Sequence, residues 1–122
     1  MKKLIVDIDN TICKTVNGKY EKASVILPVV KKLIEYRNKG FQIILHTSRN
    51  MRTYNNNIGK INLEMIPVLV KWLKKNNIPC DELHVGKPWC GFEGFYIDDK
   101  SIRPSEFISM EYDQIMKKID NK

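Results

Sequence analysis

The residues able to do chemistry fall into four short clusters. Asp7 and Asp9 stand two apart in LIVDIDNT, and Thr47 and Ser48 follow IILH. Lys87 stands in VGKPWCG, and Asp98-Asp99 closes GFYIDD. Carboxylates gathered in one place repel unless a cation sits among them. Oxygen ligands with no His or Cys in the set select Mg2+ or a similar hard ion. Mg2+ takes one or two carboxylates, keeps waters and fills its shell with phosphate oxygens. A nearby lysine offsets phosphate charge, and a hydroxyl binds a phosphoryl oxygen. A carboxylate can also be the nucleophile, forming an aspartyl-phosphate. Each cluster alone has a plainer reading: Thr11 caps a turn, Asp98-Asp99 is an acidic turn, and Lys87 is a solvated loop lysine.

These groups act together only if the fold carries them to one place. Residues 3–8 form a continuous apolar run rich in β-branched side chains, as in a buried parallel strand. From Pro28 the period becomes helical, with Val29, Val30, Leu33, Ile34 and Arg37 along one stripe and Gly40 as the stop. Residues 41–45 read as a second strand and residues 51–60, MRTYNNNIGK, as a loop. Pro67 suits the first turn of a helix whose stripe is Leu69, Val70, Trp72 and Leu73, stopped by Asn77-Ile78-Pro79. Residues 82–85 are a third strand, 87–94 a loop, and 95–97 a fourth strand. Ser109 caps a last helix with Glu111 and Asp113 in its first turn, ending near Ile119. The order β, α, β, α, β, β, α predicts a single α/β domain over residues 1–122 with a mostly parallel sheet flanked by helices. In such sheets function collects at the C-terminal ends of the strands. All four clusters fall at a predicted strand exit or one residue beyond.

In that setting Asp7-Ile8-Asp9-Asn10-Thr11 resembles the DxDxT motif of the haloacid dehalogenase (HAD) superfamily of phosphatases. Thr47 is similar to that family's second motif, Lys87 to its third, and Asp98-Asp99 to its acidic fourth, in family order across residues 7–99. The wording HTSRNMRTY, VGKPWCG and GFYIDD resembles small members associated with capsular polysaccharide biosynthesis. The resemblance implies a Rossmann-like HAD core. It implies that Asp7 attacks phosphorus, that Asp9 serves as acid and then base, that Thr47 holds a phosphoryl oxygen, and that Lys87 offsets charge. Mg2+ would lie among Asp7, Asp9, Asp98 and Asp99. Thr11, Ser48, Arg49, Arg52 and Lys60 are candidates for contact with the substrate, a small phosphorylated metabolite such as a sugar phosphate.

The chain leaves two features of that family open. Residues 12–27 have room only for a small flap, so no large cap domain covers the site. An open site suits bulky substrates or closure by a neighbouring subunit, and a dimer or tetramer is expected. The eight residues 87–94 must carry the chain to the fourth strand without a helix. Three strand spacings are roughly 14 Å. Eight residues reach at most ~27 Å, so the path is nearly extended and shorter than a usual parallel crossover.

Composition sets the outer limits. In 122 residues, 43% are hydrophobic, enough for a core. The charge of +7, from 21 basic against 14 acidic residues, permits a polyanion partner. The lysines are scattered as pairs, however, which reads as solvated faces rather than a nucleic-acid surface. Phosphatase action on nucleic-acid ends and a receiver-type phosphate-accepting module remain the alternatives. Three cysteines without metal spacing point to reduced thiols in a cytoplasmic protein. Asp7 and Asp9 interrupt any leader-like run, and no stretch approaches the ~20 apolar residues of a membrane span.

Overall fold

The structure, a computed structural model, describes residues 2–16 and 19–120. The chain forms two compact units, Met1–Trp89 and Cys90–Lys122.

The first unit is built on a parallel sheet of β1 (Lys3–Asp7), β4 (Gln42–His46) and β5 (Glu82–His84), in the order β1-β4-β5. The central β4 is the most buried, with Ile43 and Leu45 closed from solvent. Between β1 and β4 come an antiparallel hairpin, β2 (Cys13–Val16) and β3 (Lys19–Val25), and helix α1 (Leu27–Asn38). The small flap expected over residues 12–27 is this hairpin; positions 17 and 18 lie outside the described residues. Helices α2 (Ile58–Glu64) and α3 (Ile66–Lys75) stand between β4 and β5. No helix among the described residues is long and apolar enough to cross a membrane.

Both long helices end in the same device. After α1, Gly40 takes φ +95°, its N–H donates to Arg37 O at 3.0 Å, and Phe41 N–H donates to Tyr36 O at 3.1 Å. This is a Schellman turn, and the Phe41 ring meets the Tyr36 ring edge-on at 5.0 Å. After α3, Asn77 takes φ +53°, and Ile78 N–H donates to Leu73 O at 3.1 Å. Asparagine tolerates the left-handed region because its short polar side chain bonds locally. The two turns release the chain directly ahead of β4 and β5. Asp81 then clamps the start of β5. It accepts from Ile43 N–H at 2.8 Å, pairs with Arg37 at 2.8 Å, and donates its own N–H to Ile43 O.

Several expectations are corrected. In α1 the buried stripe is Val29, Val30, Leu33 and Tyr36, while Ile34 and Arg37 are exposed, because the core meets an aromatic ring rather than a guanidinium. The stretch 51–60 is a loop only to Asn57, whose side chain accepts from Lys60 N–H at 3.1 Å and caps α2. Val85 lies past the end of β5.

The second unit holds α4 (Pro104–Ser109) and α5 (Tyr112–Asp120). Ser109 ends α4 instead of capping the last helix. Glu111 takes that place, its N–H bonded to the Gln114 side chain at 2.8 Å, and Asp113 stands in the first turn of α5 as expected. Glu106 accepts from Arg103 N–H at 2.9 Å and pairs with Lys118, tying the two helices together. The largest correction is the fourth strand: residues 95–97 are in neither sheet. The connection before them is not extended. Gly91 takes φ +78°, and a Cβ on Gly94 would collide with the Cys90 carbonyl oxygen, so the chain turns sharply back.

Candidate active site

The site grows from the exit edge of the parallel sheet. The register sets Asp7 beside His46 and His46 beside His84, one row across three strand ends. Beyond β1 the chain winds around one carbonyl. Ile8 O accepts N–H groups from Thr11 at 3.2 Å, Ile12 at 2.9 Å and Cys13 at 3.4 Å. Ile8 and Ile12 are fully buried and anchor the turn, and Asn10 between them takes φ +63°. Asp9 therefore leaves the strand direction instead of sharing a face with Asp7. The Thr11 hydroxyl donates to Asp7 Oδ2 at 3.2 Å, so it holds the carboxylate as well as shaping the turn.

Thr47 and Lys87 are fixed by continuing the β4–β5 ladder. Thr47 N–H donates to His84 O at 3.0 Å, and Lys87 N–H donates to Thr47 O at 3.2 Å. Between them Gly86 takes φ +84°, and a Cβ there would lie 2.9 Å from Ile58 Cδ1 at the start of α2. Lys87 Nζ thereby comes to 3.6 Å from Asp7 Oδ1. Thr47 is almost wholly buried, and its Oγ1 accepts from Arg49 N–H at 2.9 Å, which leaves the hydroxyl proton to donate. Ser48, half-buried, takes Met51 N–H on its carbonyl at 3.1 Å and starts the turn after β4.

Two cations thus meet two carboxylates. Lys87 pairs with Asp7, and Arg49 Nη1 pairs with Asp9 Oδ1 at 3.3 Å. Burial pushes the Asp7 carboxyl up, against the opposing pull of Lys87 and Thr11. Burial and the Lys87 charge push the His46 imidazole down. Cys13, beneath the site, is pushed up to about 11 by burial, which makes it a poor nucleophile.

Of the other candidates, Arg52 stacks over the Trp89 ring at 5.7 Å, and Lys60 is exposed on α2. Asp98 and Asp99 belong to the second unit and are exposed; Asp98 Oδ1 accepts from Lys100 N–H at 3.1 Å. Among the described residues, no three His, Cys, Asp or Glu side chains gather to hold a metal ion. Asp7 and Asp9 nonetheless offer hard oxygens in the number Mg2+ takes from many proteins. Thr15, on β2, belongs to no recognisable motif, yet its hydroxyl donates to Asp9 Oδ1 beside Arg49. The turn wound around Ile8 O, with Asn10 N–H donating to Cys13 O at 2.7 Å, brings Thr15 back to Asp9.

No family model and no curated protein matches the chain. A crystal structure of a structural-genomics target from Vibrio cholerae is similar, with 48% identity and a TM-score of 0.95 over 98% of each chain. Likeness at that level and over that length is kinship, so the chain belongs to the same family as this Vibrio cholerae protein.

Proposed function

We propose that the chain is a Mg2+-dependent phosphatase of the haloacid dehalogenase type, built on that family's core without a large cap and working in the cytoplasm on a small phosphorylated metabolite. The observation that carries this reading is the half-buried Asp7 carboxylate at the sheet exit, with Lys87 Nζ 3.6 Å away and Asp9 in the adjoining turn. Asp7 would attack phosphorus, and the bond to the leaving oxygen would break as Asp9 delivers a proton to it. Asp9 would then take a proton from water, whose oxygen attacks phosphorus and frees Asp7 from the aspartyl-phosphate. Thr47 would donate its hydroxyl proton to a phosphoryl oxygen, and Lys87 would offset charge on Asp7 and the phosphoryl group. Arg49, resting on Asp9, is placed to turn to an arriving phosphate. Bound through Asp7 and Asp9, Mg2+ would stabilise charge that develops on the phosphoryl oxygens.

A sugar phosphate or other surface-polysaccharide precursor is the substrate class favoured by the resemblance of HTSRNMRTY and VGKPWCG to capsule-associated members. The test is phosphate release from p-nitrophenyl phosphate and a metabolite panel in the presence of Mg2+. Release by wild type that Asp7→Asn matches would overturn the mechanism.

A further inference from the structure

We propose that the groove between α1 and α3, at the end of the sheet away from Asp7, binds a one-tailed anionic amphiphile: an alkyl chain carrying a carboxylate or phosphate head. The groove lies wholly within the first unit, and its lining belongs to residues 34–83. It shares no residue with the candidate active site, so the proposal stands apart from the phosphatase reading.

The walls are apolar. Ile34 of α1 lines the groove with Val70 and Leu73 of α3 and Leu83 of β5. The core stripe of α1 is Val29, Val30, Leu33 and Tyr36. Ile34 stands beside that stripe, 40% exposed, and extends the apolar surface past what the core covers. The cavity measures about 580 Å³. Sites for small molecules ordinarily hold ~300–1,000 Å³ and are mostly apolar with a few polar groups that fix orientation.

Charge selects the occupant. Arg37 and Lys74 line the groove, and no carboxylate does so among the described residues. The nearby Asp81 carboxylate is already engaged: Oδ1 accepts from Arg37 Nη2 and Oδ2 from Ile43 N–H, each at 2.8 Å. That leaves the other N–H groups of the guanidinium for a further acceptor. Lys74 pairs with no carboxylate among the described residues. Basic side chains in a last helical turn ordinarily serve the carbonyls of their own helix. Here the turns take those carbonyls instead. Arg37 O accepts from Gly40 N–H at 3.0 Å, and Lys74 O accepts from Asn77 N–H at 3.2 Å. Two cations beside an apolar lining complement an anionic head on an alkyl tail. A cationic head there would meet like charge, which is costly.

Cys80 supplies a reporter, because its half-buried thiol lines the same groove. Cys13 is closed from solvent, and Cys90→Ser removes the third thiol. The experiment titrates the full chain carrying Cys90→Ser with dodecanoate, dodecyl phosphate and dodecyltrimethylammonium, each below its micellar concentration. Calorimetry reads affinity, and a thiol reagent reads access to Cys80. Both anions are expected to bind once per chain and to slow modification of Cys80. The cation is expected to bind at least about tenfold more weakly. Ile34→Glu and Lys74→Glu replace exposed side chains, so each is expected to keep its circular dichroism and to weaken dodecanoate binding by about tenfold or more. Acetate is expected not to compete, since it has no tail to bury. No binding of either anion overturns the proposal. So does a cation bound as tightly as the anions, a Cys80 modified at its ligand-free rate with dodecanoate bound, or unchanged affinity in both variants.

Discussion

Two apolar runs in this chain end in a pair of aspartates, and they meet different fates. LIVDID becomes β1, hydrogen-bonded along β4, and its two carboxylates are half-buried against Lys87 and Arg49. GFYIDD joins neither sheet, and its apolar side chains and both carboxylates face solvent. The two runs also differ in the chain that adjoins them. β1 is followed by a hairpin and a helix, ample chain to bring β4 beside it. The second run follows a ten-residue connection folded on itself by Gly91 and Gly94. Strand preference describes a fit to a pleated, half-buried surface, and a run without such a surface stays out of the sheet.

Several substitutions test that contrast. The largest effect is expected from Asp7→Asn, which should lower phosphate release by about 1,000-fold or more because it removes the attacking oxygen. Arg52→Ala should leave that rate within about tenfold, since Arg52 stacks on Trp89 beyond the carboxylate pair. Equal losses from the two variants would contradict the assignment of Asp7 as nucleophile. Next in size is Gly86→Ala. It forces φ +84° on a side chain and drives a methyl into Ile58, and should cost about 1–3 kcal/mol in urea unfolding. Gly91→Ala meets only the backbone strain, with nothing within 4 Å, and should cost about 1 kcal/mol. Thr15→Val removes the donor to Asp9 and should lower stability by about 0.5–1.5 kcal/mol, with loss of activity greater than the loss of folded protein at assay temperature.

The pH dependence gives a finer test. Burial raises the Asp7 pKa in the folded chain, so folding favours its protonated form. Its contribution is greatest at low pH and is lost as pH rises from the ordinary carboxylate range through the raised one. The melting temperature of Asp7→Asn minus that of wild type should therefore increase across that window and flatten above it. A difference that falls with pH would mean that Lys87 outweighs burial. Smallest of all, His46 should titrate below the ordinary imidazole range in a proton NMR titration, because burial and Lys87 both disfavour its charge.

Much of the positioning was legible in local patterns. The β-branched run of β1, the stop at Gly40, Pro67 in the first turn of α3 and the stop at Asn77 depend on neighbours within a few residues, which a sequence displays directly. Less legible were pairings made at a distance. Thr15 meets Asp9 only because the turn around Ile8 O reverses the chain, and Arg49, read as facing substrate, rests on Asp9. Tyr36 replaced Arg37 in the buried stripe because the Schellman turn brings Phe41 against its ring.

The sequence by itself determined which groups are available and that β1, β4 and β5 present Asp7, Thr47 and Lys87 at one edge, since parallel strands joined by helices exit on the same side. Tertiary structure decided which carboxylate meets which cation, and that residues 95–97 stay outside the sheet. An apolar run records a tendency to be buried. Whether it pairs with another strand is a property of the folded chain.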